Sequence, residues 1–275
     1  MTRGIDHLVV AVRDLDRAAA AYEANGFTLT PRARHPWGTE NRLVQLDGAF
    51  IELLTVPAGV DIAAPGKGSF SFGGFNRDFL SRHEGASMLV LDSVDPVSDR
   101  AGFAAAGLKV FEPFGFEREA IGPDGQVRKV GFDLTFTADP DAPTLGFFTC
   151  RNRYPENFWK PEYQTHGNGA QSLAEVILVA GDPADHHVFL EAFTGVRELR
   201  ATSLGIECKT ARGLISILSP VAYEGLYGLS AGPRAALPRI AALRLTGGSV
   251  PARRIVPAAG NFGLDLILDP SAAAG

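Results

Sequence analysis

The stretch Gly4-Ile-Asp-His-Leu-Val-Val-Ala-Val12, followed by Asp14 and then by Leu15, Ala18, Ala19 and Tyr22, decides how this chain folds. Its first nine residues read as a strand that is apolar on both faces. Asp14 is placed to cap a helix. The four residues after it make one apolar stripe at helical spacing, and Gly26 stands at the C-terminal break. Working outward, three further strands are predicted, at Phe27–Pro31, Asn41–Leu46 and Ala49–Val56. Asp47-Gly48 supplies a two-residue hairpin turn between the last two. The unit is βαβββ.

The same order returns twice. Gly85-Ala-Ser-Met-Leu-Val-Leu91 reads as a strand, Asp95-Pro96 opens a helix with proline in its first turn, and Gly107 closes it. Ser172-Leu-Ala-Glu-Val-Ile-Leu-Val-Ala180 is followed by Asp182-Pro183 and Gly195. With His7, Met88 and Glu175 aligned, the caps Asp14, Asp95 and Asp182 each fall 7 residues later, and the closing glycines 12, 12 and 13 residues beyond the caps. Such coincident offsets mark an internal repeat. A reduced fourth copy is read at the C-terminus. Ile240–Leu245 is its first strand, and Gly263-Leu-Asp-Leu-Ile-Leu-Asp-Pro270 matches Phe50-Ile-Glu-Leu-Leu-Thr-Val-Pro57 and sets Asp265 opposite Glu52. No helix is evident between these two strands. Two linkers are long: 57–84, rich in Gly and Phe with a short helix near Asn76–Arg82, and 151–171, dense in aromatic residues. Connections of that length are often functional.

Composition narrows the function. The 275 residues are 45% hydrophobic and 21% charged with a formal charge of -5, which argues against nucleic acid as a partner. No run of roughly 18 apolar residues offers a membrane span. The N-terminus enters a strand at once, without an apolar leader, and a cytoplasmic location is expected. Cys150 and Cys208 form neither a disulfide framework nor a zinc motif, and both read as buried thiols.

Strand alternation brings out the candidate site. In the first strand Ile5, His7, Val9 and Ala11 share one face. Leu8, Val10 and Val12 share the other, the natural seat of the helix, so His7 faces the concave side. In the fourth strand Glu52 is a carboxylate set among apolar neighbours, and burying it is costly unless it is paired, protonated or metal-bound. Three readings stand for His7 and Glu52: half of a divalent-metal site, a metal-free base or binding group, or a buried structural hydrogen bond. His35, Trp37, Asn41 and Arg42 lie at a strand entrance around the turn Gly38-Thr39. They are either turn and exposed strand polars or hydrogen-bonding groups for a substrate over Glu52. The segment Tyr154–His166 either closes the pocket, with Trp159 or His166 contributing, or bridges the two halves; bridging is favoured. His186-His187 reads as a solvated or half-buried helix face, and His83 as surface.

The strand Ile5-Asp-His-Leu-Val-Val10, the segment His35-Pro-Trp-Gly-Thr-Glu-Asn-Arg-Leu-Val44 and Ile51-Glu-Leu-Leu54 together resemble the glyoxalase-like branch of the vicinal oxygen chelate superfamily. That group includes glyoxalase I, extradiol dioxygenases, fosfomycin-resistance enzymes and bleomycin-binding proteins. The resemblance implies an α+β fold of tandem βαβββ modules forming cupped, open β-barrels, with a divalent ion (Zn, Ni, Mn or Fe) held by the first and fourth strands of paired modules. Carried onto this chain, the ligand positions are His7 and Glu52, with Glu52 also a catalytic proton carrier. His35, Asn41, Arg42, Trp159 and His166 are then the expected substrate-binding residues. The second copy departs from the pattern: Met88 and Gly146 (or Phe147) stand where ligands belong. In the third and fourth copies the same positions are Glu175, Ser216, Ala242 and Asp265, without a histidine.

The expected organisation is a first pair of modules in 1–150 (about 1–57 and 85–150), a connection over 151–171, and a second pair in 172–275 (about 172–220 and a reduced 238–270). The function implied is a lyase or isomerase acting on a small oxygen-rich metabolite. The alternative is a non-catalytic binding protein of the sequestration or resistance type, with an extradiol-type dioxygenase ranked below both. A small-molecule ligand is the expected partner, and a homodimer is admitted.

Overall fold

A computed structural model describes residues 2–232 and 237–271. The first half runs β1 (Ile5–Ala11), α1 (Leu15–Ala24), β2 (Ala33–Arg34), β3 (Glu40–Gln45), β4 (Phe50–Thr55), α2 (Phe72–Arg82), β5 (Gly85–Asp92), α3 (Pro96–Ala105), β6 (Lys109–Val110), β7 (Phe114–Ile121), β8 (Val127–Ala138), β9 (Gly146–Asn152) and α4 (Pro155–Phe158). The second half runs β10 (Ser172–Val179), α5 (His187–Thr194), β11 (Arg200–Thr202), β12 (Gly205–Lys209), β13 (Leu214–Leu218), α6 (Pro220–Tyr227), β14 (Arg239–Gly247), β15 (Arg254–Val256) and β16 (Asp265–Pro270).

Each half builds one mixed sheet. The order in the first is β2-β3-β4-β1-β5-β9-β8-β6 with β7 on β8; in the second it is β11-β12-β13-β10-β14-β16-β15. The centre of each follows one rule. The first strands of two modules meet antiparallel, β1 on β5 and β10 on β14. Each carries the last strand of its own module in parallel: β4 on β1, β9 on β5, β13 on β10 and β16 on β14. The architecture is the α+β arrangement of βαβββ modules that the sequence implies.

The helix signals act as read. Asp14 accepts from the Arg17 amide at 2.9 Å, Leu15, Ala18, Ala19 and Tyr22 are buried, and Asp95 and Asp182 cap in the same way. Gly26, Gly107 and Gly195 all take φ near +80°, where a side chain would be strained. In the third module the turn after Asp182 is a 3₁₀ turn, Pro183–His186, before α5 begins. In the fourth, among the described residues, no helix follows β14; the one helical turn between β14 and β16 is the 3₁₀ turn Ala258–Gly260, which comes after β15.

Three expectations need correction. Phe27–Pro31 forms no strand. Phe27 and Leu29 are drawn into the core beside Tyr22, Pro31 has no amide to give, and pairing to β3 falls to Ala33–Arg34. Ile5 does not share the face of His7, because a bulge between them in the β1–β5 register turns Ile5 into the core beneath α1. His186 is no solvated face: it is buried, with Nδ1 2.7 Å from Oδ2 of Asp139. That pair joins the halves, as do Arg3 Nη1 donating to the Phe193 carbonyl at 2.8 Å and Arg212 Nη1 donating to the Ile5 carbonyl at 2.9 Å. A single apolar core containing Leu8, Leu53 and Leu89 of the first half and Val176, Phe193 and Leu243 of the second runs between the sheets. The concave face of the first sheet is a separate aromatic cluster. Among the described residues no helix is long and apolar enough to cross a membrane.

Candidate functional site

The register of the first sheet sets the site. Glu52, Val9, Met88 and Gly146 form one row across β4, β1, β5 and β9, and Phe50, His7, Val90 and Phe148 form the next. His7 and Glu52 therefore share the concave face. Both are about 4% exposed, and His7 Nε2 lies 3.9 Å from Glu52 Oε2. Across β3, pleating sends Asn41 and Leu43 inward and Arg42 outward. Asn41 Nδ2 donates to Glu52 Oε1 at 2.6 Å. His35 enters from the turn before β3, its Nε2 3.7 Å from Glu52 Oε1 and its Nδ1 2.9 Å from the Thr39 hydroxyl. His7 Nδ1 lies 2.6 Å from Oδ2 of Asp6. The carboxylate only accepts, so Nδ1 carries a proton and Nε2 is turned toward Glu52.

These polar groups sit in an aromatic cavity of about 40 Å³. Its walls include Phe50, Phe72, Phe116, Phe132, Phe148 and Phe158. Phe50 stacks on His7 at 4.2 Å and Trp37 on His35 at 4.6 Å. Such surroundings shift Glu52, His35 and Cys150. Burial raises the Glu52 carboxyl above its ordinary value, against the opposing pull of His7, Asn41 and Arg118. Burial, aided by the Arg118 charge and by His7, holds the His35 imidazole down to about 3, so it is neutral at physiological pH. Burial also pushes the Cys150 thiol well up. The result is a carboxyl group with one fixed oxygen and one, Oε2, that accepts no hydrogen bond.

Of the residues expected to bind substrate, the structure brings His35 and Asn41 to Glu52 and leaves three outside the cavity. Arg42 lies on the far side of β3, donating to the Thr30 carbonyl at 2.9 Å and to Glu23 at 3.0 Å. Trp159 packs against Phe158 and the edge of Phe50, behind the wall. His166 is spent on tying the connecting segment to the first module: its Nδ1 takes the Thr28 amide at 3.0 Å and its Nε2 meets the Gln45 carbonyl at 2.8 Å. Arg118, which sequence reading passed over, lines the cavity from β7. The signal was present, since Phe114, Phe116, Arg118 and Ala120 alternate with exposed residues over eight positions.

A family model described as a glyoxalase-like domain matches residues 5–194. The chain belongs to the glyoxalase-like family. A search of curated proteins finds no sequence match. Among solved structures, a hypothetical protein from Staphylococcus aureus is similar over 98% of this chain and 99% of its own, at 13% identity and TM-score 0.74. A xylose isomerase-like TIM barrel/4-hydroxyphenylpyruvate dioxygenase fusion protein matches over 100% of this chain and 50% of its own, at 12% identity and TM-score 0.57. Methylmalonyl-CoA epimerase from Mycobacterium tuberculosis matches over 54% of this chain and 87% of its own, at 18% identity and TM-score 0.38.

The ion that membership of this family suggests can be set against the donors present. Of the four central positions only His7 and Glu52 offer hard ligand atoms. At Gly146 an added Cβ would stand 2.7 Å from Met88 Cγ, so a side chain there would require Met88 to move. The Met88 sulfur itself faces the Asn76 amide at 3.9 Å. This set does not fit a divalent cation held between paired modules, which needs at least three such donors. A different group, Asp6, His7 and Cys150, brings ligand atoms within 4.8 Å of one another and could hold a metal ion. Its thiol would first have to lose a proton that burial makes it keep.

Proposed function

We propose that this glyoxalase-like protein is an acid–base enzyme of the isomerase or lyase type, in which Glu52 moves a proton at a carbon beside a carbonyl of a small oxygen-rich metabolite. One observation carries the reading: a buried carboxyl whose Oε1 is fixed by Asn41 and whose Oε2 faces open cavity. A base buried this way holds a proton more tightly than an exposed carboxylate, and the cavity that raises its proton affinity also excludes the water that would compete for the proton. The C–H bond breaks toward Oε2, its electron pair forms a C=C bond as the carbonyl π pair moves onto oxygen, and the resulting enolate is neutralised when Glu52 returns the proton to the same carbon or, where the deprotonated carbon bears a hydroxyl whose proton passes to the former carbonyl oxygen, to the adjacent one. The positive charge of Arg118, lining the same space, stabilises the anion while it exists. His7, oriented by Asp6, and His35, held neutral by burial, complete the polar rim.

The test is proton exchange in D₂O, followed by NMR over a panel of small 2-oxo and 2-hydroxy acids. Glu52→Gln is expected to slow exchange about 10²- to 10⁴-fold with the fold intact. Exchange that Glu52→Gln leaves unchanged would falsify the assignment. The aromatic walls favour one further reading, a protein that sequesters an apolar-faced ligand; stoichiometric binding with no exchange in any probe would replace the enzyme by that role.

A further inference from the structure

Among the described residues, four buried side-chain nitrogen or oxygen atoms lack a hydrogen-bond partner: Trp37 Nε1, Ser93 Oγ, Arg118 Nε and Asn261 Oδ1. Two of the four, Trp37 Nε1 and Arg118 Nε, belong to side chains that line the cavity over Glu52. Both are donors. Folded proteins rarely leave buried donors unmet, and each costs free energy until an acceptor arrives. Arg118 is the more telling. Its guanidinium spends only Nη1, on the Glu119 carbonyl at 3.2 Å, and has no carboxylate within ion-pair distance, although the surface arginines Arg32 and Arg153 do. Its position is also singular. Arg118, Leu43 and Phe158 line both the inner cavity and a neighbouring cleft of about 290 Å³ whose rim carries Arg32, Arg34, Lys160 and Tyr163.

The two spaces are unequal. About 40 Å³ admits a few atoms only, whereas about 290 Å³ approaches the size of ordinary ligand pockets. We infer that the substrate is a carboxylate-bearing molecule anchored by Arg118, with the reacting carbon inserted beside Glu52 and the larger part of the molecule lying in the outer cleft. A planar fork with free N–H groups suits a carboxylate, and the Trp37 indole supplies a further donor for a vicinal oxygen. Glu52 faces the same space, so the acidic carbon would lie close to the bound carboxylate, as C3 of a 2-oxo acid or C2 of a 2-hydroxy acid does. This substrate class rests on the proton-transfer reading of Glu52, whereas the anchoring role of Arg118 does not.

The experiment measures binding by calorimetry for 2-oxo acids of increasing chain length and for their methyl esters, on the wild-type protein, Arg118→Met and Arg118→Lys. The acids are expected to bind the wild-type protein about tenfold or more tighter than the esters. That preference should vanish in Arg118→Met, and Arg118→Lys should restore part of it. Affinity should rise with chain length as the outer cleft fills, equally in all three proteins. Esters binding as well as acids, an unchanged preference in Arg118→Met, or no saturable binding of any acid would each overturn the inference. Glu52→Gln separates the two proposals. If it retains the Arg118-dependent preference while wild-type protein exchanges no proton, the anchor stands and the proton-transfer reading fails. If wild-type protein exchanges protons of acids and esters alike, the base stands and the anchor fails.

Discussion

The two sheets of this protein are built by the same rule and treat their central carboxylates in opposite ways. In the second sheet the positions equivalent to His7 and Glu52 are Glu175 and Ser216, and those equivalent to Met88 and Gly146 are Ala242 and Asp265. Glu175 is fully engaged: Ser216 donates to Oε1 at 2.5 Å and Arg244 to Oε2 at 2.8 Å. Asp265 accepts from the Tyr223 hydroxyl at 2.6 Å and from the Ala258 amide. The Tyr223 ring is completely buried and fills the cup that α6 closes. In the first sheet Glu52 has one partner, and two donors nearby have none. A cup whose polar groups satisfy one another is structure; one whose groups wait for a partner is a site.

That contrast can be broken, and the largest expected effect is catalytic. Glu52→Gln and Glu175→Gln are the same chemical change in equivalent cups, yet only the first should reduce proton exchange, by about 10²- to 10⁴-fold. Comparable losses in both would place chemistry in the second cup as well. Stability should run the other way. Glu175→Gln keeps the size of the side chain but removes the charge that Arg244 pairs with, costing about 1–3 kcal/mol in denaturant unfolding after allowance for the partial exposure of Arg244.

Glu52→Gln should instead stabilise the protein by roughly 1–2 kcal/mol near neutral pH, because a buried, poorly paired charge is replaced by a neutral isostere. The pH dependence follows from linkage. The folded state raises the Glu52 proton affinity, so it binds more protons than the unfolded chain above about pH 4.5, and wild-type stability falls as pH climbs through the raised value. Below that window the carboxyl is neutral in both states and the advantage of Gln should disappear. A difference that persists at low pH would show that packing, not charge, is responsible. Tyr223→Phe should cost about 1–3 kcal/mol, because the buried Asp265 Oδ2 loses its donor. Smallest of all, metal content after incubation with Zn, Ni, Mn or Fe should stay well below one ion per chain and be indifferent to His7→Ala. A stoichiometric ion lost on that substitution would instead put Asp6, His7 and Cys150 to use as ligands.

Much of this was readable from local pattern. The caps at Asp14, Asp95 and Asp182, the closing glycines and the alternation of β1 and β4 each depend on neighbours within about one turn or one strand. They fixed the modules and put His7 and Glu52 on one face. Asn41 was legible for the same reason, being a β3 residue of correct parity. Arg42, one residue on, has the wrong parity and belongs to the outside. Trp159 and His166 were attractive by chemistry alone, and composition does not report where a connecting segment lies. Arg118 was missed because its strand carries charges on its outer face, which hides the inward stripe of Phe114 and Phe116.

The sequence by itself determined the modules, their reduced fourth copy, the two candidate residues His7 and Glu52, and the lack of matching donors at Met88 and Gly146, because periodicity and residue chemistry act over a few positions. Only the tertiary structure decided which cup is open. That depends on whether a carboxylate meets Arg244 and Tyr223 or an aromatic cavity. Those partners lie 69 and 42 residues from the groups they satisfy, a separation that no local pattern encodes. It also showed that Arg118, from a hairpin packed over the first cup, stands beside Glu52 with a donor still unmet.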